Sequence, residues 1–203
     1  GHVLRHAPSG YEVALQPLGR GHASVAWTGD DGWVYVFTRE GARDPAKEVL
    51  LATVREAPSV HLPRIEDVGE ADWGRSRGHV HRMPLYRPLW AEHAEAWAHA
   101  KRLRACLDET QYATEGGIWY GDPIKRGERL LACVQREVRA GLLPAALATA
   151  LTRLWEMSWN FGHPGGWAFE FPSRNLVVDA RGRLVLLDAI YDQAALLERP
   201  RRS

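Results

Sequence analysis

The sequence predicts an α+β protein with two lobes, and three observations support this class. Before residue 85, short apolar runs alternate with glycine-containing turns, which is typical of antiparallel strands. From residue 90 to 161, apolar residues recur at helical spacing in stretches rich in Ala, Glu and Arg. Between these regions lies Met83-Pro84-Leu85, which suits a linker because proline fixes its own backbone and lacks an N–H donor. We expect a first lobe over residues 1–85, with an antiparallel sheet and one helix, and a mainly helical second lobe over 86–203 that contains a hairpin.

The first predicted element that bears on function is a glycine turn between two strands, Leu18-Gly19-Arg20-Gly21-His22-Ala23-Ser24. Glycine lets the backbone approach a ligand closely, so the amides near Gly19 and Gly21 can face phosphate oxygens. An ordinary hairpin turn has the same pattern, which is the alternative interpretation. A dinucleotide-binding fingerprint is disfavoured, because no third glycine opens a helix and the following residues predict a strand. A tight turn and a further strand, over residues 33–37, come next.

A helix is predicted over residues 44–56, because Asp44 can cap it and Pro45 suits its first position. Its apolar face consists of Val49, Leu50, Thr53 and Val54. Glu48 lies in the first turn, where its simplest role is to complement the helix dipole.

The remaining predicted elements are two strands and a series of helices. The strands are expected at residues 62–68 and 80–86, with a polar connection over 69–78 between them. The helices are expected at residues 90–107, 128–140 and 144–161, with a glycine-rich stop at 162–166 and a short last helix over 190–198.

The stretch from Glu170 to Asp188 predicts a polar loop followed by a β-hairpin. Asn175 precedes one apolar run, and a turn then leads to a second apolar run that ends at Asp188. The hairpin thus holds an amide and a carboxylate on rigid backbone, and such oxygen ligands suit a hard cation such as magnesium. Asn and Asp are also common beside surface turns, so a plain surface hairpin is the alternative.

The composition limits the partners and the compartment. The chain has 26 Lys and Arg against 25 Asp and Glu, a net charge of +1, which argues against a nucleic-acid partner. Its apolar runs are shorter than a membrane span, so a membrane partner is not expected. Cys106 and Cys133 do not form a Cys-x-x-Cys pair, and a reducing, cytoplasmic location is expected.

His79 and His81 form the only close pair among the nine histidines. Zinc is bound by cysteine, histidine and carboxylate side chains at short spacings. Because no cysteine or acidic residue has a matching spacing in the sequence, a zinc site is not expected at this pair.

In their order along the chain, these segments resemble the eukaryotic-type protein kinase fold. The glycine turn resembles the glycine-rich loop, Glu48 the glutamate of the first-lobe helix, and Met83-Pro84-Leu85 the hinge. The segment from Glu170 to Asn175 resembles the catalytic loop, and Asp188, 13 residues after Asn175, resembles the metal-binding aspartate. The resemblance implies a compact protein-kinase-like fold with a reduced helical C-lobe, similar to the small kinase-like proteins of bacteriophages and bacteria.

The resemblance also implies a binding site for ATP. Gly19, Gly21 and Ser24 correspond to residues that cover the phosphates. The backbone groups near Met83 and Leu85 correspond to those that bind the adenine base. ATP and magnesium are therefore the expected cofactors.

Three residues carry the implied chemistry. Asn175 and Asp188 would hold magnesium, which neutralises charge on the transferring phosphoryl group. Glu170 stands where the family has a catalytic aspartate, and its side chain is one methylene longer. Glu170, Asn175 and Asp188 are thus the candidate catalytic residues.

The sequence departs from the family at the strand lysine that pairs with the helix glutamate. The strand over residues 33–37 has no lysine, so Arg39 or Lys47, the latter beside Glu48, is the candidate replacement in the nucleotide site. Only 15 residues follow Asp188, so the helical subdomain that binds peptides in protein kinases is not expected.

Two functions remain open. One is a phosphotransferase acting on a protein Ser/Thr or a small-molecule hydroxyl; the other is a catalytically impaired pseudokinase that binds nucleotide or a partner protein and regulates it.

Overall fold

The structure is a computed structural model. It describes residues 2–6, 11–20, 24–42, 44–111, 123–162 and 166–193. By its contacts the chain divides into two compact units: unit 1 comprises Gly1–Asp44 and Arg64–Leu85, and unit 2 comprises Pro45–Pro63 and Tyr86–Ser203. Within the described residues, the helices are too short or too polar to cross a membrane.

Unit 1 is a six-stranded antiparallel sheet with the strand order β1-β2-β3-β4-β6-β5. The strands are β1 (His2–His6), β2 (Tyr11–Arg20), β3 (Ser24–Gly29), β4 (Trp33–Arg39), β5 (Glu66–Trp73) and β6 (Ser76–Pro84). Its core contains Leu15, Trp27, Tyr35, Phe37 and Val80, all of them buried. The predicted order of three strands is confirmed as β2, β3 and β4, whereas residues 21–23 of the predicted glycine turn lie outside the described residues and β1 was not predicted.

The second half of this sheet differs from the prediction. Residues 69–78 were expected to form a polar connection, but they belong to β5, to β6 and to a two-residue turn, because Trp73 pairs directly with Ser76. β5 lies at the edge of the sheet, and edge strands often carry charged side chains that hide their alternation of exposed and half-buried residues. The predicted strand at 62–68 is also displaced, since β5 begins at Glu66.

The linker predicted at Met83-Pro84-Leu85 also differs from the structure. Met83 and Pro84 were expected to leave the sheet as a linker, but they pair with Val34 and Trp33. Pro84 is tolerated there because β5 stops pairing with β6 at Arg82, so Pro84 lies where β6 is paired on one side only, as on an edge strand.

The described part of unit 2 contains four α-helices: α1 (Pro45–Glu56), α2 (Ala94–Gln111), α3 (Pro123–Arg139) and α4 (Ala145–Ser158). α4 lies at the centre of the core, with Leu147, Leu151 and Leu154 buried. α1 places Val49 and Thr53 in the interior and contacts α4, which agrees with its predicted apolar face. By its contacts α1 thus belongs to unit 2, whereas the sequence placed it in the first lobe; the lobes 1–85 and 86–203 remain a prediction.

Five short strands complete unit 2. They are β7 (Arg87–Pro88), β8 (Trp167–Phe169), β9 (Leu176–Val178), β10 (Leu184–Leu186) and β11 (Ile190–Asp192), and they form the sheets β10-β9-β7 and β11-β8. The predicted helix over residues 190–198 is wrong at its start. Ile190 pairs with Phe169 and Asp192 with Trp167, so pairing with β8 overrides any local helical tendency. Residues 194–198 lie outside the described residues.

Cys106 of α2 and Cys133 of α3 form a disulfide, with their Cα atoms 5.7 Å apart. The sequence analysis noted only that the two cysteines do not form a Cys-x-x-Cys pair, and it did not predict this disulfide between residues 27 apart. Disulfides persist mainly in oxidising compartments. The cytoplasmic location therefore remains a prediction.

Candidate functional site

The hairpin predicted between Asn175 and Asp188 is present. Its strands β9 and β10 pair antiparallel, from Leu176 with Leu186 to Val178 with Leu184, and all six strand residues are buried. The strands therefore anchor both ends of the hairpin in the core of unit 2.

Asp179 fixes the turn of this hairpin. Its Oδ1 accepts hydrogen bonds from the backbone N–H groups of Arg181 and Arg183, each at 2.9 Å, and its Oδ2 accepts one from Nε of Arg183 at 2.8 Å. Partial burial raises the pKa of Asp179, but the hydrogen bonds from Arg183 and Arg181 outweigh burial and leave the pKa below its usual value. Gly182 adopts a φ of 78°, a conformation that glycine accepts without strain.

Two hydrogen bonds join Asn175 to the end of the hairpin, one to Asp188 and one to Leu187. Nδ2 of Asn175 donates to the backbone carbonyl of Asp188 at 2.9 Å, and the N–H of Leu187 donates to the carbonyl of Asn175 at 2.9 Å. Because a carbonyl oxygen can only accept, the NH₂ end of the Asn175 amide must face Asp188. The amide oxygen is thereby directed away from that bond. The resulting donor set, one amide oxygen and one carboxylate, fits Mg²⁺, which prefers oxygen ligands.

Glu170 lies beside this pair. It follows β8, is half-buried, and its backbone N–H donates to the carbonyl of Ala189 at 3.0 Å. Ala189 is the residue after Asp188, so one hydrogen bond sets the backbone of Glu170 against the end of the hairpin. Phe169 and Phe171, on either side of Glu170, are buried with their ring centroids 6.3 Å apart. These two rings anchor the backbone that carries the carboxylate.

Two further side chains bind the region of the candidate site, and the sequence analysis identified neither: one binds the loop before Asn175, and the other binds the hairpin. Arg104 of α2 donates from Nε to the carbonyl of Phe171 at 3.1 Å and from its terminal nitrogen to Oγ of Ser173 at 3.0 Å. The other is His61, in the segment after α1, which is 5% exposed.

His61 links the segment after α1 to the hairpin. Its Nδ1 lies 2.8 Å from the carbonyl of Leu184, and its own carbonyl accepts the N–H of Leu186 at 2.9 Å. The acceptor is a carbonyl, so Nδ1 carries the proton. Burial lowers the pKa of His61 and outweighs the opposite effect of the bond to Leu184. Arg104 and His61 have no local sequence motif, because their partners lie more than 60 residues away in the chain.

The predicted phosphate-binding residues belong to unit 1. Gly19 lies in β2, after an irregularity in the pairing with β3 between Pro17 and Gly19, and an added Cβ there would meet no atom within 4 Å. Ser24 begins β3 and pairs with Thr38. Gly21 lies outside the described residues.

The other predicted nucleotide-site residues are spread over both units. Arg39 is exposed at the end of β4, Met83 is half-buried in β6, and Leu85 is 53% exposed just after it. Lys47 is half-buried and Glu48 exposed in the first turn of α1. Of the predicted site residues that the structure describes, it therefore brings together Glu170, Asn175 and Asp188 within unit 2, whereas the others lie elsewhere in unit 2 or in unit 1.

Comparisons with known proteins return likenesses in structure. No protein-family model and no curated protein matches the sequence. Vaccinia related kinase 3 is 12% identical, with a TM-score of 0.34 over 92% of this chain and 50% of that chain. The aminoglycoside phosphotransferase APH(4)-Ia, solved with ADP and hygromycin B, is 17% identical, with a TM-score of 0.39 over 90% of this chain and 70% of that chain. APH(2″)-IIa, solved with streptomycin and ATP, is 13% identical, with a TM-score of 0.36 over 89% of this chain and 68% of that chain.

The chain spans half the length of the kinase and about seven-tenths of the phosphotransferases. These structures are of the kinase-like class that the sequence resembles. At such identities and TM-scores, they assign no ligand, substrate or residue role to this chain.

Proposed function

We propose that this chain is a compact phosphotransferase that uses ATP and magnesium to phosphorylate a hydroxyl group. The observation that supports this most directly is the pair of hydrogen bonds between Asn175 and the Leu187–Asp188 end of the hairpin, both at 2.9 Å. They fix the Asn175 amide and the backbone of Asp188 on one hairpin, and an amide oxygen and a carboxylate are ligand types used in metal-assisted phosphoryl transfer. The strands between the two residues are buried, which supports a rigid backbone beneath both proposed ligands.

In this proposal Asn175 and Asp188 hold the cation. Bound there, magnesium would neutralise the charge that develops on the transferring phosphoryl group. Glu170 accepts the proton of the attacking hydroxyl or orients it. Its side chain is one methylene longer than that of aspartate. The hydrogen bond from the backbone N–H of Glu170 to the carbonyl of Ala189 fixes the position from which this side chain extends.

Two elements of unit 1 are assigned to the nucleotide. The backbone amides from Gly19, near the end of β2, to Ser24, the first residue of β3, including that of Gly21, bind phosphate oxygens; the open space where a Cβ would stand at Gly19 supports close approach. The backbone near Met83 and Leu85 binds the adenine base. Among the described strands, β5 pairs with β6 only as far as Arg82, so the backbone of β6 beyond Arg82 is not hydrogen-bonded to β5.

The cation that takes the place of the strand lysine is Arg39 or Lys47. The hydroxyl belongs to a protein Ser/Thr side chain or to a small molecule.

The test is transfer of labelled phosphate from ATP in the presence and absence of magnesium. Asp188→Ala and Glu170→Ala should each lower transfer by on the order of a hundredfold or more, since each removes a group that acts on the reacting atoms. Asp108→Asn is the matched control, because it removes an exposed carboxylate from α2. Transfer that persists unchanged in both site variants would overturn the assigned roles.

A second function, a catalytically impaired pseudokinase that binds nucleotide or a partner protein, is favoured by one observation. β4 carries no lysine, and its only basic residue, Arg39, is exposed at the strand end. Thermal unfolding with ATP and magnesium distinguishes the cases, because a ligand that binds only the folded state raises the melting temperature. A raised melting temperature without transfer supports the pseudokinase. The absence of both at millimolar ATP contradicts the phosphotransferase.

A further inference from the structure

A cluster of metal-ligating side chains lies in unit 1, apart from the residues assigned to phosphate transfer. It consists of Asp67 on β5 with His79 and His81 on β6. Each offers one ligand atom, and these atoms all lie within 4.8 Å of one another. A zinc site was not expected here because no acidic residue has a suitable spacing in the sequence, but Asp67 on the neighbouring strand supplies an acidic residue in space.

The pairing of β5 with β6 accounts for the convergence. His79 and His81 are two residues apart on one strand, so their side chains point to the same face of the sheet. Asp67 pairs directly with His81, and directly opposite residues of an antiparallel pair share a face. All three side chains therefore emerge on one side of the sheet.

A bulge next to Asp67 shapes the cluster further. The register shifts between Asp67 and Gly69, so that two residues of β5 stand opposite Val80 alone, and Gly69 adopts a φ of 115°. Bulges bend a strand and re-aim the side chains beside them. The Asp67 carboxylate lies opposite His81, yet its Oδ1 is 2.5 Å from Nε2 of His79. The Asp67 carboxylate thus contacts the imidazole of His79 while its backbone lies opposite His81.

The donor set is typical of a transition metal. Two imidazoles and one carboxylate are ligands that Zn²⁺ and related divalent ions accept, and three protein ligands leave a position open for water or substrate. In a tetrahedral zinc site, ligand atoms at about 2.0–2.1 Å from the ion are about 3.3–3.4 Å apart. The ligand atoms here lie within 4.8 Å of one another, so the side chains must turn toward a common point to bind one ion. The two imidazole centroids are 4.7 Å apart with their planes inclined by 50°, so the rings can turn without stacking face to face.

We propose that Asp67, His79 and His81 bind a divalent transition metal of the zinc class. Magnesium is not the expected ion, because it prefers oxygen ligands over imidazole. Glu70 is excluded from the ligand set although it stands opposite His79, since it forms an ion pair with Arg77. The site lies wholly within unit 1 and does not depend on the proposed phosphotransferase function.

The test is zinc binding by the full-length chain after treatment with a chelator. Competition against a chromophoric zinc indicator should reveal one zinc ion per chain. Cobalt(II) substitution should give the visible absorption of a four- or five-coordinate site with nitrogen and oxygen ligands. Asp67→Asn, His79→Gln and His81→Gln should each weaken zinc binding by at least about tenfold, because loss of even an outer-shell partner costs about 10- to 100-fold.

Two matched variants serve as controls. Glu70→Gln removes a carboxylate from the same strand, and His99→Gln removes a histidine from α2; both should change zinc affinity by less than about threefold, because neither supplies a ligand. Circular dichroism and thermal unfolding without metal verify that every variant folds. If zinc affinity is the same in wild type and the three ligand variants, or if no binding is found at micromolar zinc, the site does not exist.

Discussion

His61 shows how a single buried residue can connect a helix to the candidate site. Its Nδ1–H donates to the carbonyl of Leu184 while Leu186 donates back to its carbonyl, so the segment after α1 is held against β10. A protonated imidazole would have to be accommodated in a buried position. The protonation of His61 therefore bears on the stability of unit 2.

The stability of the protein should fall as the pH drops through about 6.5, the pKa of an unperturbed histidine. Above that pH, His61 is neutral in both the folded and the unfolded chain. Below it, the unfolded chain takes up a proton that the folded chain resists, because burial lowers the pKa of His61. The carbonyl of Leu184 raises this pKa, His99 and Arg183 lower it, and Asp179 raises it.

His61→Asn tests this prediction, because an amide can still donate to Leu184 but does not titrate. Urea unfolding at about pH 7.5 and about pH 5.5 should show a smaller loss of stability in the variant than in wild type. At the higher pH the variant should be less stable by about 1–3 kcal/mol, since a buried ring has been truncated. The other histidines are common to both proteins. Equal pH dependence in the two would contradict the role of His61.

At the scale of single residues, the sequence pattern predicted the hairpin that carries Asn175 and Asp188, but not the residues that depend on distant contacts. Asn175 and Asp188 stand out because Asn175 precedes one short apolar run and Asp188 ends the next, with a turn between the runs; their role as metal ligands remains a prediction. Arg104, His61 and the pairing of Asp67 with His79 and His81 could not, because each depends on a contact between distant segments. A local pattern contains no information about such partners.

At the scale of elements, α3 and α4 meet closely at Gly127. A Cβ added to Gly127 would lie 2.2 Å from the ring of Trp155, which no real contact allows. Trp155 is itself 6% exposed and stacks on Phe169, the last residue before Glu170. The glycine therefore admits an indole that supports the backbone of the candidate site.

Gly127→Ala should destabilise the protein although it improves helix propensity. Alanine gains about 1 kcal/mol over glycine in a helix. Overpacking a well-filled core costs about 1–3 kcal/mol, and Trp155 is a large buried ring with little room to move. We expect a net loss of stability in urea unfolding. Ala at an exposed position of the same helix, Glu128→Ala, should change stability by less than about 0.5 kcal/mol.

A second substitution makes the cause explicit. Trp155→Leu should itself destabilise the protein, but Gly127→Ala should cost less in that background, because the smaller side chain leaves room for the methyl group. The same cost of Gly127→Ala in both backgrounds would show that contact with the indole is not the reason.

Elements were predictable where their pattern is long and local, and less so where they are short or lie at an edge. α1 and the hairpin of β9 and β10 were predicted almost residue by residue. β8 and β11 have three residues each, too few to show a period, and they exist because they pair with each other. β5 was misplaced because it is an edge strand with acidic side chains.

At the scale of the whole molecule, the α+β class followed from the change of pattern near residue 85, where the two compact units also divide. The sequence did not show which of the two units α1 belongs to. An apolar face shows that a helix packs against something, but it does not name the partner, and Val49 and Thr53 pack within unit 2. Which unit a helix joins is decided by contacts that only the folded chain contains.

The disulfide between Cys106 and Cys133 stabilises the molecule through its unfolded state. The crosslink joins residues 27 apart in sequence, and closing a loop of that length in the unfolded chain is worth about 3–4 kcal/mol by the chain-entropy model. Reduction should lower the melting temperature by roughly 10 °C, since 1 kcal/mol corresponds to about 2–4 °C in a chain of this size. Cys106→Ala combined with Cys133→Ala should melt near the reduced wild type and should not respond to reductant. Thiol titration of the unreduced, unfolded protein should find no free thiol. Two titrated thiols, together with a melting temperature that reductant leaves unchanged, would show that the crosslink does not form.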